Sequence, residues 1–323
     1  MVMRLSYSKA VIQALSEAME ADPAVFCLGE DVGFGGAYGA TQGLRDRFGA
    51  ARVRDTPISE SAIIGLSVGA SMSGMRPVPE IMHMDFIAIA MDQVVNQAAK
   101  MRYMFGGKAR VPLTIRCGVG GYLNAAAQHS QSLEAWFTHV PGLKVVAAGT
   151  PADIRQVLRD AILDDNPVLV LESLSLYDTV GEVPDTYTPR KLGYADIKRQ
   201  GEDITLVTWG RTVPEVMKAA EILARERIDC EVIDLLTVIP WDRKAVMDSV
   251  WRTNRAAVIH QAHRTGGFGA EVAATICEEA FNELDGPVLR IGALDVPVPF
   301  TPELENYVLP TADRIVTEIR KLF

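Results

Sequence analysis

Ala152-Asp153-Ile154-Arg155-Gln156-Val157-Leu158-Arg159-Asp160-Ala161-Ile162-Leu163 leads through Asp164-Asp165-Asn166 into Pro167-Val168-Leu169-Val170-Leu171. The first stretch reads as a helix and the last as a short, nearly continuous apolar strand. A strand with no polar face is covered on both sides, the setting of a parallel sheet flanked by helices. The alternation extends both ways. Upstream, residues 8–19 and 92–104 read as helices, the second ended by Gly106-Gly107. Residues 25–28, 78–82, 112–116 and 143–147 read as strands. Ser59 is a plausible cap for a helix of small residues containing Ile63, Ile64, Leu66, Ser67, Gly69, Ala70 and Ser73. Downstream, strands at 204–209, 231–235, 257–259 and 288–291 alternate with helices at 214–225, 269–281 and 312–322. The expected class is α/β, with two three-layer parallel-sheet domains. The first covers residues 1–185, a Pro-rich and charged linker without apolar periodicity covers 186–200, and the second covers 201–323.

Composition narrows the function. Hydrophobic residues make up 48% of the 323-residue chain and charged residues 23%, ample for a large core. Acids outnumber Lys plus Arg by 41 to 32, for a net charge of −9, which disfavours a nucleic-acid partner because phosphate binding needs clustered cations. The four cysteines lie far apart with no CxxC, so neither a zinc knuckle nor a redox motif is supported. They fit buried, reduced thiols of a cytoplasmic protein. The first residues do not form a signal peptide, and no apolar run reaches the roughly 18 residues that span a membrane.

Two short stretches carry candidate chemistry. Asp55-Thr56-Pro57-Ile58-Ser59-Glu60 places a carboxylate where the chain turns into the small-residue helix. On the residues alone, Glu60 is either a first-turn acid stabilised by the helix dipole or a carboxyl held in a dry pocket for proton transfer. Ala125-Ala126-Ala127-Gln128-His129-Ser130-Gln131 places an imidazole in a polar loop, either structural or catalytic near neutral pH. Phe86, in Met82-His83-Met84-Asp85-Phe86, reads as core. His260 and His263 are three apart without a third ligand and read as loop or interface residues, His260 ending a strand. Neither Gly33-Phe34-Gly35-Gly36 nor Gly118-Val119-Gly120-Gly121 completes a dinucleotide fingerprint. Gly65-Leu66-Ser67-Val68-Gly69 matches a hydrolase elbow only in letters, since it lies within a helix.

The chain closely resembles the β subunit of the thiamine-diphosphate-dependent E1 component of 2-oxo acid dehydrogenases, including acetoin dehydrogenases. Besides the two stretches above, the likeness rests on Gly29-Glu30-Asp31-Val32, Asp92-Gln93-Val94-Val95-Asn96-Gln97-Ala98-Ala99-Lys100 and Pro141-Gly142-Leu143-Lys144-Val145-Val146. It continues through Asp165-Asn166-Pro167-Val168, Thr265-Gly266-Gly267-Phe268-Gly269-Ala270-Glu271 and Asp295-Val296-Pro297-Val298-Pro299. It implies a pyrimidine-binding domain followed by a transketolase C-terminal domain, in an α2β2 tetramer. By the same resemblance Glu60 meets N1′ of the aminopyrimidine, Ile58 and Phe86 line that ring, and His129 faces the reacting centre and assists acyl transfer to lipoyl sulfur. Mg²⁺ and the diphosphate would belong to the α subunit, in keeping with the lack of any Gly-Asp-Gly here. A monovalent cation, K⁺, would be held mainly by backbone carbonyls at Leu113, Ala161, Asp164 and Asn166. The lipoyl-bearing E2 would dock near Asp285 and Phe323. The stretch Arg102-Tyr103-Met104-Phe105-Gly106-Gly107-Lys108 looks more like acetoin enzymes. Ile89, where pyruvate enzymes often carry Gln, and Asn124 also depart from the pyruvate pattern. Alternatives are half of a split transketolase or 1-deoxyxylulose-phosphate-synthase-like enzyme, and a non-catalytic partner-binding paralogue.

Overall fold

The computed structural model describes residues 2–323, which divide into two compact units. One runs to Val119 and resumes over Trp136–Leu192, and the other joins Gly120–Ala135 to Gly193–Phe323.

In the first unit, β1 (Val2–Ser6) pairs antiparallel with β8 (Val180–Pro184). Ser6 then caps α1 (Tyr7–Ala21) by accepting from the Lys9 amide. There follow β2 (Val25–Gly29), α2 (Leu44–Phe48), β3 (Val53–Asp55), α3 (Glu60–Met72) and β4 (Arg76–Ile81). A tight turn at Met84–Ala90 and a π-helical stretch at Gln93–Ala98 lead into α4 (Ala99–Met104). The helix expected over 92–104 therefore changes pitch midway. β5 (Thr114–Val119), α5 (Glu134–Thr138), β6 (Lys144–Ala147), α6 (Pro151–Leu163) and β7 (Val168–Ser173) follow along the chain. Within this unit the strands run β6-β7-β5-β4-β2-β3, all parallel. Both faces are covered, and α1 packs against α6. Every residue of β2, β5 and β7 is buried, as their unalternating composition demands.

β5 nevertheless carries a charge. Arg116 is buried and forks onto Glu172 (2.6 and 2.7 Å) while its third nitrogen meets Glu80 at 2.5 Å. The Tyr177 hydroxyl donates to Glu172 at 2.6 Å. Burial pushes Glu80 above the ordinary carboxylate range against the pull of Arg116.

The second unit contains β9 (Asp196–Arg199), β10 (Ile204–Thr208), α7 (Thr212–Arg225), β11 (Cys230–Asp234), β12 (Thr237–Ile239), α8 (Arg243–Thr253), β13 (Ala256–His263), α9 (Gly269–Ala280), β14 (Leu289–Ala293), α10 (Pro302–Val308) and α11 (Ala312–Ile319). Its sheet runs β14-β13-β10-β11-β9, parallel except for the edge strand β9. Thus 186–200 is not all irregular, since β9 pairs with β11. Ile204, Leu206, Val216, Leu223, Val232, Ile259, Ile291 and Ile315 share one core. His260 is not a loop residue. It lies inside β13, wholly buried, with its ring stacked on Trp209 at 5.1 Å. Cys277 is exposed, while the other three cysteines are buried as expected.

Candidate active site

The Asp55–Glu60 segment is built from its first residue. Asp55 ends β3, and its carboxylate accepts from the Gly33 amide at 2.6 Å and from Arg45 at 2.5 Å, pinning the glycine-rich loop. A Cβ on Gly33 would stand 2.4 Å from Arg45 Nη1, so a side chain here would have to push aside the Arg45–Asp55 pair. The Thr56 amide donates to the Gly29 carbonyl at 3.0 Å, tying the segment to the end of β2. Ser59 occupies the cap position of α3, but its side chain makes no cap hydrogen bond; only its carbonyl joins the helix, accepting from Ile63 at 2.9 Å. Glu60 is the first helical residue and only 5% exposed. Among the described residues, no cation or hydrogen-bond donor engages its carboxyl. With no partner within the chain, the carboxyl is left free to meet a ligand. Its neighbourhood is acidic. Burial, then the charges of Glu60, Asp31 and Glu80, hold Glu30 above the usual carboxylate range.

α3 stays narrow. Ser67 Oγ returns to the Ile63 carbonyl at 2.7 Å, and a Cβ on Gly65 would lie 3.3 Å from Gln93 Oε1. Ser67 is therefore a packing residue. The Met84–Ala90 turn packs on this helix, and Ser61 Oγ donates to the Ile89 carbonyl at 2.5 Å. Ile58, Glu60, Phe86 and Ile89 are thus gathered around α3 and that turn. Ile58 is 80% exposed and Ile89 60%, two apolar side chains in the open. Phe86 is half-buried, its ring edge-on to His83 at 5.9 Å, and His83 Nε2 lies 2.7 Å from the Tyr38 hydroxyl.

The four positions matched to a monovalent cation meet at the α6–β7 loop. The Leu113 carbonyl accepts from Val168 N at 2.9 Å and that of Ala161 from Asp164 N at 3.1 Å. Asn166 donates through its amide and its side chain to Asp164 Oδ1 at 2.9 and 2.7 Å. Burial would raise the Asp164 pKa, but hydrogen bonds from Lys144 and Asn166 outweigh it and hold the carboxyl low. Arg76 donates to the Ile162 and Asp164 carbonyls at 3.0 and 3.1 Å. The Leu113, Ala161 and Asp164 carbonyls each keep a second lone pair. No cluster of three His, Cys, Asp or Glu able to hold a metal exists among the described residues.

His129 belongs to the second unit and is exposed. Its loop is closed at the base by Gly120 N donating to the Gln131 carbonyl at 3.2 Å, and it turns where His129 N donates to the Ala126 carbonyl at 3.3 Å. A cavity of about 550 Å³ flanks the loop, lined by Ala127, Gln131, His263, Thr265, Asp295 and the Val296-Pro297-Val298 run. His263 Nδ1 lies 2.8 Å from the Leu294 carbonyl and so carries the proton. At the end of the loop Glu134 is buried, accepts from Trp209 Nε1 at 3.2 Å, and is pushed up in pKa by burial. Sequence reasoning singled out none of Glu30, Glu80, Arg116 or Glu134. For Glu30, Glu80 and Arg116 the available signal was a charged residue directly after, or within, an apolar strand, and nothing local marks Glu134.

Residues 3–179 match the family described as the transketolase pyrimidine binding domain, and residues 193–315 the transketolase C-terminal domain. The β subunit of acetoin:2,6-dichlorophenolindophenol oxidoreductase of Bacillus subtilis is 43% identical, over 97% of this chain and 95% of the relative. The pyruvate dehydrogenase E1 β subunit of Rickettsia felis is 41% identical over 99% and 98%, and the 2-oxoisovalerate dehydrogenase β subunit of B. subtilis 40% over 98% of each. The chain belongs to the E1 β subunits of the 2-oxo acid and acetoin dehydrogenases. A solved split-gene transketolase, described as an inactive β4 tetramer, matches this E1 β chain in fold, with a TM-score of 0.80 at 23% identity over 98% of each chain. As an E1 β subunit the chain works with thiamine diphosphate and with an α partner. The unpaired, buried Glu60 carboxyl fits the aminopyrimidine end of that cofactor. No described helix is long and apolar enough to cross a membrane.

Proposed function

We propose that this chain supplies the proton-handling and acyl-delivery groups of an α2β2 E1 that cleaves acetoin or a branched 2-oxo acid in preference to pyruvate, and hands the acyl group to a lipoyl-bearing E2. The observation that carries the reading is Glu60, a residue only 5% exposed at the start of α3 whose carboxyl has no partner of its own. Thiamine diphosphate, when bound, supplies the nucleophilic carbon and the electron sink. Glu60 holds and exchanges a proton at N1′. Ile58 and Phe86 hold the aminopyrimidine ring and exclude water from it. His129 binds the acyl group or its lipoyl acceptor and moves the proton that accompanies transfer. The α subunit holds Mg²⁺ and the diphosphate.

The substrate preference rests on Ile89, an exposed aliphatic side chain whose carbonyl is held by Ser61, the residue after Glu60, and which offers no hydrogen bond to a small polar acid. K⁺ at the Leu113, Ala161, Asp164 and Asn166 oxygens would stiffen the α6–β7 loop. Docking of E2 near Asp285 and Phe323 draws support from Arg255, which pairs with Asp285 at 3.1 Å and lies 4.8 Å over the Phe323 ring. Both side chains thereby form one half-exposed patch of charge and aromatic surface.

The test is dye reduction by this chain co-purified with its α partner, given thiamine diphosphate and Mg²⁺, and offered acetoin, branched 2-oxo acids and pyruvate in turn. Preference for acetoin or a branched acid is expected. Preference for pyruvate would sink the Ile89 argument alone. Turnover of sugar phosphates without any lipoyl acceptor would replace the whole reading by a split transketolase.

A further inference from the structure

Between Gly120 and Ala126 every second residue is left-handed: Gly120 at φ 90°, Tyr122 at 65°, Asn124 at 55° and Ala126 at 62°. Three of these carry a Cβ, for which that region is uncommon, so something must hold the chain there. Alternating backbone hand gathers N–H groups on one side into a hollow that suits an anion. The anion here is the protein's own. Glu305, on α10 and 2% exposed, accepts from the Tyr122 amide at 2.9 Å and from the Asn124 amide at 3.3 and 3.2 Å. Among the described residues no cation pairs with Glu305, and backbone N–H groups meet its charge. Gly121 is squeezed between: a Cβ there would stand 3.1 Å from Glu305 Oε1 and 2.8 Å from Leu309 Cδ1. Tyr122 is fastened again at its tip, where its hydroxyl donates to the Pro310 carbonyl at 2.8 Å and Arg211 lies 4.2 Å over its ring.

We propose that Glu305 is a positioning residue for His129. Its carboxylate organises the 120–126 hollow, the hollow ends at Ala126, and the Ala126 carbonyl receives the His129 amide. The aim of the imidazole is thus set by a buried carboxylate far away in sequence. The inference rests on the role given above to His129 in acyl delivery.

The test uses the chain assembled with its α partner and compares dye-linked turnover with turnover onto a lipoylated domain. Glu305→Gln keeps the side-chain volume but removes the charge and replaces one of the two accepting oxygens by an NH₂ group, which cannot accept from the Asn124 amide. Its dye-linked rate should stay within about threefold of wild type, while the lipoyl-linked rate falls roughly 10- to 100-fold, as for loss of a positioned acid–base group. Combined with His129→Ala, it should add no further loss, because both changes remove the same function. In the cofactor-free tetramer, protease should cut within 120–131 faster than in wild type. Losses that multiply in the double variant, equal losses in both assays, or wild-type behaviour throughout would overturn the proposal. If His129→Ala alone leaves the lipoyl-linked rate intact, the reading of His129 fails first and takes this inference with it. Should Glu305→Gln not assemble, Glu305→Asp is judged by the same assays; failure of both to assemble would make Glu305 a folding residue and overturn the proposal.

Discussion

Glu60 and His129 are held in opposite ways. Glu60 opens a regular helix, is buried, and is surrounded by elements that hydrogen bonds lock to one another: Asp55 to Gly33, Thr56 to Gly29, Ser61 to Ile89. His129 is exposed, on a loop whose backbone alternates in hand and is fixed around a single buried carboxylate. A proton-exchanging carboxyl benefits from a rigid setting that fixes its aim. A group that must meet an incoming acyl acceptor has to stay accessible, so its precision comes from the loop beneath it. One site should therefore be robust in place and sensitive in chemistry, and the other the reverse.

Five changes probe that contrast. Glu60→Gln should lower turnover by about 10³-fold in dye-linked and lipoyl-linked assays alike, with assembly unchanged, since only the proton is lost. Arg116→Met, which leaves Glu172 and Glu80 without their cation, should cost about 3–5 kcal/mol of stability and show as a lower melting temperature. If melting is unchanged, the rigidity of the first unit does not depend on that buried fork. His129→Ala should reduce only the lipoyl-linked rate, by about 10²-fold, while dye-linked turnover persists.

His260 sharpens the comparison within the second unit. Burial depresses its pKa from 6.5 to about 4. Below 6.5 the unfolded chain takes up a proton that the folded chain refuses, so stability falls as pH drops from 6.5 towards 4. At pH 5 the loss should be about 2 kcal/mol, and His260→Phe, which cannot be protonated, should melt with a flatter pH dependence over that window. The smallest effect belongs to Thr150→Ala, which removes the cap that accepts from the Asp153 amide at 3.2 Å. It should cost about 1 kcal/mol in melting and nothing in either rate.

The same contrast governs what the sequence reveals. Strands such as β2, β5 and β7 are legible because burial on both faces forces continuous apolar runs, and α6 is read from Ala152, one residue after its actual start at Pro151. β1 and β8 are not legible: they pair only with each other, and their mixed exposure leaves no apolar run. α8 hides behind Arg243, Lys244, Asp248 and Arg252, which are mostly solvated on one face. At the site, Glu60 could be located by its place before a small-residue helix. The His129 loop could be found but not its support. Glycine explains a positive φ at 120, but nothing local marks Tyr122, Asn124 and Ala126. Glu305, next to exposed Glu303 and Leu304, reads as part of a wet acidic face until the fold brings the loop to it.

The most direct test of this division of labour is the ratio of dye-linked to lipoyl-linked turnover, measured for Glu60→Gln and His129→Ala in one preparation of the assembled tetramer. The account predicts a ratio near wild type for Glu60→Gln, both rates being low, and a ratio raised about 10²-fold for His129→Ala. Equal ratios in the two variants, or a Glu60→Gln enzyme that turns over like wild type, would contradict it.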